Sequence, residues 1–155
     1  MLDRVSYRKR SEGLLAVFPQ TETTLNSIEP RDPALVLVTE GLEKPGNLGA
    51  ILRTADAAGA DAVLTVPGRV DSFNPNVIRA STGGCFTVPV VGVGLTDLIA
   101  WTARNRVALV AADPDGPVSL WDSDLTGPLA LMVGAEDTGL TDTAGLLPTI
   151  SSRSR

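Results

Sequence analysis

The chain has 155 residues, 43% hydrophobic and 20% charged, with a net charge of −5. That is the balance of one soluble globular domain with a sizeable core, and it excludes a disordered tail, a collagen-like rod and a disulfide scaffold. The longest apolar runs, such as Val107–Ala112 and Pro128–Val133, and shorter ones such as Ala34–Val38, are too short to cross a bilayer, so no membrane association is expected. The charged start, with Asp3, Arg4, Arg8, Lys9 and Arg10, has no apolar stretch behind it and reads as no signal peptide. A single cysteine, Cys85, fits a reducing, cytoplasmic setting. The chain has no histidine, which removes histidine acid–base chemistry, the Ser-His-Asp triad and histidine metal sites; no metal is expected.

In chain order, residues 1–33 read as an arm. Tyr7–Ser11 is basic and polar, Gly13–Phe18 resembles a short strand stopped by Pro19, and Thr21–Pro33 reads as a linker. From Ala34 the pattern alternates between strand and helix. Ala34–Val38 is a continuous apolar run, as in a strand buried on both faces. Asn47–Ala58 follows as a helix with Leu48, Ile51, Leu52 and Ala55 on one face and Asn47 as its N-cap. Asp61–Val66 is the next strand, Pro75–Ser81 a short helix, and Phe86–Val91 a short strand interrupted by Pro89. Leu95–Asn105 is a helix with Leu98, Ile99, Trp101 and Thr102 near one face. Val107–Ala112 and Leu129–Val133 are further strands, the last expected to be central and covered on both faces. The alternation predicts an α/β fold with a largely parallel sheet and helices on both faces.

Charge is uneven along the chain. From Val91 to Ile150 the only cations are Arg104 and Arg106, against eight carboxylates. The first ninety residues hold Arg4, Arg8, Lys9, Arg10, Lys44, Arg53, Arg69 and Arg79 among their cations. A local basic surface is therefore compatible with the acidic total.

Ligand sites of such sheets lie at the carboxyl ends of the strands. Those ends are Thr39–Asn47, Val66–Asn74, Ala111–Gly116 and Gly134–Gly139, the Gly-, Asp- and Asn-rich parts of the chain. Pro45-Gly46-Asn47 begins a helix that carries Gly49 near its start, where close approach of a backbone or a ligand would explain a poor helix former. Arg53 lies about 140° around that helix from Leu48, off the apolar face. Leu129–Val133 runs into Gly134-Ala135-Glu136-Asp137-Thr138-Gly139-Leu140, a strand entering a Gly-acid-Gly loop. Read as residues alone, the first segment is equally a capped helix with a surface arginine, and the second an ordinary strand-to-helix turn. Gly92-Val93-Gly94 lacks the third glycine of a dinucleotide loop.

Together the segments do more. Asn47-x-Gly49-x-x-x-Arg53-Thr54-Ala55-Asp56-Ala57-x-Gly59-Ala60 resembles motif 1 of the SpoU (TrmH-type) family of RNA ribose 2′-O-methyltransferases, in the SPOUT superfamily. Asn74-Pro75-x-Val77-x-Arg79-Ala80-Ser81-x-Gly83 resembles the block that follows it, and Leu131-x-Val133-Gly134-x-Glu136-x-x-Gly139-Leu140 resembles motif 2. Order and spacing agree from about Gly13 to Thr141. The resemblance implies a SPOUT-like fold with a threaded, trefoil-knotted C-terminal segment and S-adenosylmethionine (SAM) as cofactor. The activity it implies is methyl transfer to a ribose 2′-hydroxyl of RNA, rRNA ahead of tRNA, by a homodimer. Carried over residue by residue, it gives catalytic roles to Arg53, Asn47 and Glu136. Ala111, Ala112, Asp113, Gly134, Gly139 and Leu140 would meet the cofactor. The cations placed to meet RNA are Arg8, Lys9, Arg10, Lys44, Arg69 and Arg79.

The family's third motif, a Ser-Leu-Asn stretch leading into a helix, has no counterpart in Leu146–Arg155. The domain reading is thus an arm over 1–33 and a SPOUT catalytic domain over 34–155, truncated or divergent at its C-terminus, with activity impaired accordingly. The competing reading is a non-catalytic SPOUT remnant that binds RNA or a partner subunit.

Overall fold

A computed structural model describes Leu14 and residues 16–20, 22–67, 71–135, 138–141 and 147–151. Among these residues seven strands make one sheet: β1 (Leu35–Glu40), β2 (Ala62–Val66), β3 (Val90–Gly92), β4 (Ala108–Asp113), β5 (Val118–Ser119), β6 (Leu129–Val133) and β7 (Thr149–Ser151). Every pairing is parallel, in the order β3-β2-β1-β6-β4-β7-β5. Among the described residues the α-helices are α1 (Pro45–Ala58), α2 (Pro75–Ser81), α3 (Gly84–Thr87) and α4 (Leu95–Asn105).

Alternation along the strands divides the core between two faces. Val36 and Val38 of β1, with Ala130 and Met132 of β6, point to the face covered by Leu98 and Trp101 of α4. On the other face Val63 meets Leu48, Leu52 and Ala55 of α1 and Val77 of α2. α1 begins at Pro45, whose missing N–H costs nothing in the first turn. It stops at Gly59, whose φ of 67° closes the helix with N–H bonds to Ala55 and Asp56 carbonyls.

β7 has an unusual seat. It pairs with β4 through Ala111↔Thr149 to Asp113↔Ser151, and with β5 through Val118↔Ile150 and Ser119↔Ser151. β4 and β5 are consecutive in the chain, so the short connection Pro114–Pro117 must cross over β7 to join them. It crosses at Gly116, where a Cβ would lie 2.4 Å from the Ile150 carbonyl carbon and 2.6 Å from the Ser151 nitrogen. Glycine is required there because the two backbones touch.

Several sequence expectations need correction. Leu14 and residues 16–20 form no strand, and Leu14, Val17 and Phe18 are over 80% exposed, at 87%, 89% and 81%. The linker is docked from Thr24 onward: Leu25–Ser27 is a 3-10 turn, Ile28 is buried, Arg104 donates to Asn26, and Arg31 pairs with Asp61 and the Gly59 carbonyl. The expected strand Phe86–Val91 is the helical turn α3 followed by β3, because Gly84 packs on the Leu52 backbone and Pro89 delays pairing to Val90. Ile99 is exposed rather than part of the α4 core face. β6 is central, between β1 and β4, yet only Ala130 and Met132 are fully buried; Leu129, Leu131 and Val133 on its other face are half-buried.

Candidate active site

Chain order reverses at β1: β2 and β3 lie to one side, β6 and β4 to the other. Loops diverge at such a switch point and leave a crevice at the carboxyl ends. Here a cleft of about 350 Å³ opens between the end of β1 and the end of β6. Its walls are Gly41, Leu42, Glu43 and Lys44 after β1, Asn47, Ala50 and Ile51 on α1, and Gly134 and Ala135 after β6. The volume is within the range of about 300–1,000 Å³ typical of small-molecule sites, and the lining mixes apolar walls with a few polar groups.

Local sequence explains each wall. Gly41 adopts φ 67° and donates its N–H to the Val66 carbonyl at 2.8 Å, which turns the chain off β1. A Cβ at Gly41 would come 3.4 Å from that of Ala135, so the β1 and β6 loops lie against each other. After β6 the chain doubles back: Ala135 and Gly139 exchange N–H···O bonds of 3.1 and 2.9 Å. Gly134 packs beneath that neck, where a Cβ would lie 2.2 Å from the Gly139 carbonyl carbon and 2.5 Å from the Leu140 nitrogen. Gly134 is therefore demanded by closure of its own loop.

The cleft brings together three of the sequence-predicted residues, Asn47, Gly134 and Lys44. Asn47 is not the N-cap; Lys44 is, and Asn47 sits in the first turn of α1, half-buried, its N–H bonded to the Lys44 carbonyl. Arg53 is exposed on the same helix, off the buried stripe as expected, and forms no ion pair among the described residues. Arg79 is exposed in the last turn of α2, where a cation is favoured by the helix dipole. Gly139 and Leu140 lie in the β6 loop outside the cleft wall, Leu140 against the α4-side core. Ala111 is fully buried and donates its N–H to the Pro148 carbonyl, while Asp113 closes the turn after β4 by accepting from Asp115 and Gly116 N–H groups. β7 flanks all three of Ala111, Ala112 and Asp113. Glu136, Arg8, Lys9, Arg10 and Arg69 lie outside the described residues.

Gly49 has a structural explanation: its missing Cβ admits Ala80 of α2, which would otherwise be 2.4 Å away. Sequence reasoning passed over Glu43, which lines the cleft, and Glu40, which is 5% exposed at the end of β1. Glu40 had a legible signal: a carboxylate closing an apolar strand, at the switch point. Among the described residues no group of acidic or cysteine side chains could hold a metal, and no helix is long and apolar enough to cross a membrane.

The all-parallel sheet, with its strand crossed over by its own chain and its crevice at the β1–β6 switch point, has the architecture of the SPOUT fold. Superposition agrees: the crystal structure of the SpoU methyltransferase AviRb from Streptomyces viridochromogenes matches with a TM-score of 0.78 at 31% identity, covering 84% of this chain and 54% of that one. The same enzyme solved in complex with the cofactor AdoMet also matches at 0.78. The SpoU rRNA methylase family model matches residues 34–146, and the chain belongs to that family. It is 35% identical over 136 residues to the 23S rRNA (guanosine-2′-O-)-methyltransferase RlmB of Ralstonia nicotianae, covering 84% of this chain and 55% of that protein. It is 32% identical over 135 residues to a 23S rRNA (uridine(2479)-2′-O)-methyltransferase of Streptomyces viridochromogenes, covering 83% and 47%. The chain thus spans about half the length of the curated relatives it matches.

Proposed function

We propose that the chain is the catalytic domain of a SAM-dependent RNA ribose 2′-O-methyltransferase, acting on rRNA in the cytoplasm as a homodimer. The observation that carries this reading is the cleft itself, where Asn47, Lys44 and the Gly134–Ala135 backbone converge at the sheet's switch point, in a chain of this family. A small molecule carrying charges of both signs suits the lining, since Glu43 and Lys44 supply one of each and Leu42, Ala50 and Ile51 an apolar wall. SAM, when bound, supplies an electrophilic methyl group.

The rest falls to the protein. Gly134 and Ala135 would hold the cofactor, with Gly139 and Leu140 behind them and Ala111–Asp113 at the neighbouring strand end. Arg53 has no competing carboxylate among the described residues, and its guanidinium presents several N–H donors and no acceptor. Its role is to engage RNA phosphate and stabilise charge developing on the ribose oxygen, as a fixed donor rather than a base. Asn47 orients the ribose, and Glu136 organises the pocket by family resemblance. Lys44 and Arg79, with Arg8, Lys9, Arg10 and Arg69, neutralise RNA phosphates.

The test is calorimetry with SAM, followed by transfer of labelled methyl from SAM to unmodified 23S rRNA fragments. Label should appear in alkali-resistant dinucleotides, the signature of a 2′-O-methyl group. SAM binding without transfer to any rRNA or tRNA would favour a non-catalytic RNA- or partner-binding role.

A further inference from the structure

Glu40 is a carboxylate where a carboxylate is expensive. It is 5% exposed, at the end of a strand whose neighbours Val38 and Thr39 are fully buried or nearly so. Burying a charge costs several kcal/mol unless hydrogen bonds repay it. Among the described residues the ion pair is Arg31–Asp61, and no Lys or Arg reaches Glu40. Its partners come from 101 positions along the chain: Thr141 N–H donates to Oε2 at 2.8 Å and the Thr141 hydroxyl to Oε1 at 2.7 Å. Both oxygens are committed to one residue.

That residue lies on the stretch of chain after β6 that begins at the cleft wall. The loop leaves β6 at Gly134, is pinched at the Ala135–Gly139 bridge, and is fastened at Thr141. Gly41, next to Glu40, lets Ala135 lie against the end of β1. We infer that Glu40 is a positioning residue that latches the Gly134–Thr141 loop to β1 and so fixes the shape of the cofactor side of the cleft. A purely packing role would be better served by an apolar residue, and a buried charge kept against that preference marks a site where geometry matters more than stability. The functional half of this inference rests on the methyltransferase reading; the latch itself does not.

The test uses Glu40→Gln, which keeps the shape and one acceptor but loses the second, and Thr141→Val, which removes the hydroxyl and its bond to Oε1 but keeps the N–H bond to Oε2. Thr141→Ser restores it. Amide hydrogen exchange at Ala135 and Gly139 reads the loop without any cofactor, and the Val63 and Leu129 amides, bonded to the Pro89 and Ala34 carbonyls, report the sheet. Glu40→Gln should speed exchange at Ala135 and Gly139 by about tenfold, the size of one lost charge-assisted hydrogen bond, with Val63 and Leu129 unmoved. Thr141→Val should act in the same direction and Thr141→Ser should match the wild type, which keeps the question decidable if Glu40→Gln fails to fold. Affinity for SAM and for S-adenosylhomocysteine should fall together, because a loop-shape defect does not sense the sulfonium charge. Unchanged exchange at Ala135 and Gly139 in a folded variant overturns the latch. A loss confined to SAM overturns it too, in favour of direct charge recognition by Glu40. A wild-type chain that binds neither molecule overturns the methyltransferase reading, while the exchange arm still decides the latch.

Discussion

Alanine is worth about 1 kcal/mol more than glycine inside a helix, yet position 49 in α1 holds glycine. Packing decides against propensity: a Cβ there would sit 2.4 Å from Ala80 Cβ and 3.0 Å from the Ala80 and Ser81 backbone. Gly49→Ala should therefore destabilise the protein by about 1–3 kcal/mol in urea denaturation, the usual cost of overpacking. Gly49→Ala combined with Ala80→Gly should recover part of the loss, since one of the three close contacts is removed. Arg53 is the opposite case, exposed and unpaired among the described residues. Arg53→Ala should abolish methyl transfer while changing stability by less than about 1 kcal/mol, as at other surface positions. A variant that unfolds, or one that keeps full activity, counts against the catalytic role.

Elements were legible in the sequence where many residues agree on one period. α4 shows its bounds through Leu98 and Trp101, β1, β4 and β6 through four or more consecutive apolar residues, and β2 through Ala62-Val63-Leu64 and Val66. Short elements were not. β7 is three residues, Thr149–Ser151, after a proline, and owes its strand to pairing on both sides rather than to any local pattern. Gly13–Phe18 shows the converse: an apolar run forms a strand only with a partner, and its described residues have none. The site was half legible. Asn47, Lys44 and Gly134 fall at the cleft, but Ala111–Asp113 are flanked by a strand the sequence did not announce. Gly116→Ala tests that arrangement, because its Cβ cannot fit above Ile150. The variant should loosen β7, seen as faster exchange of the Ala111 amide that donates to Pro148, while Val63 exchanges as before.

Over the whole molecule, an acidic protein is proposed to bind a polyanion. The eight carboxylates between Val91 and Ile150 repel RNA, so binding must lean on cations of the first half. Replacing Arg8, Lys9 and Arg10 together by alanine should weaken RNA binding and reduce the slope of log K against log salt by up to about 2, at about 0.7 per phosphate contact on single strands. An unchanged slope would make those residues bystanders.

The crossing of Pro114–Pro117 over β7 also dictates a calendar for the nascent chain. β4, the bridge and β5 all leave the ribosome before Thr149 does, so the slot between them stands open while more than twenty further residues are translated. An open slot in a sheet is a row of unsatisfied peptide groups that any extended segment, including one from a neighbouring polypeptide, can occupy. β7 reaches the slot only after the residues of the bridge have been made, and its pairing with β4 is a long-range and therefore slow event. The longer that slot waits, the longer the chain exposes an edge on which a neighbouring polypeptide can pair.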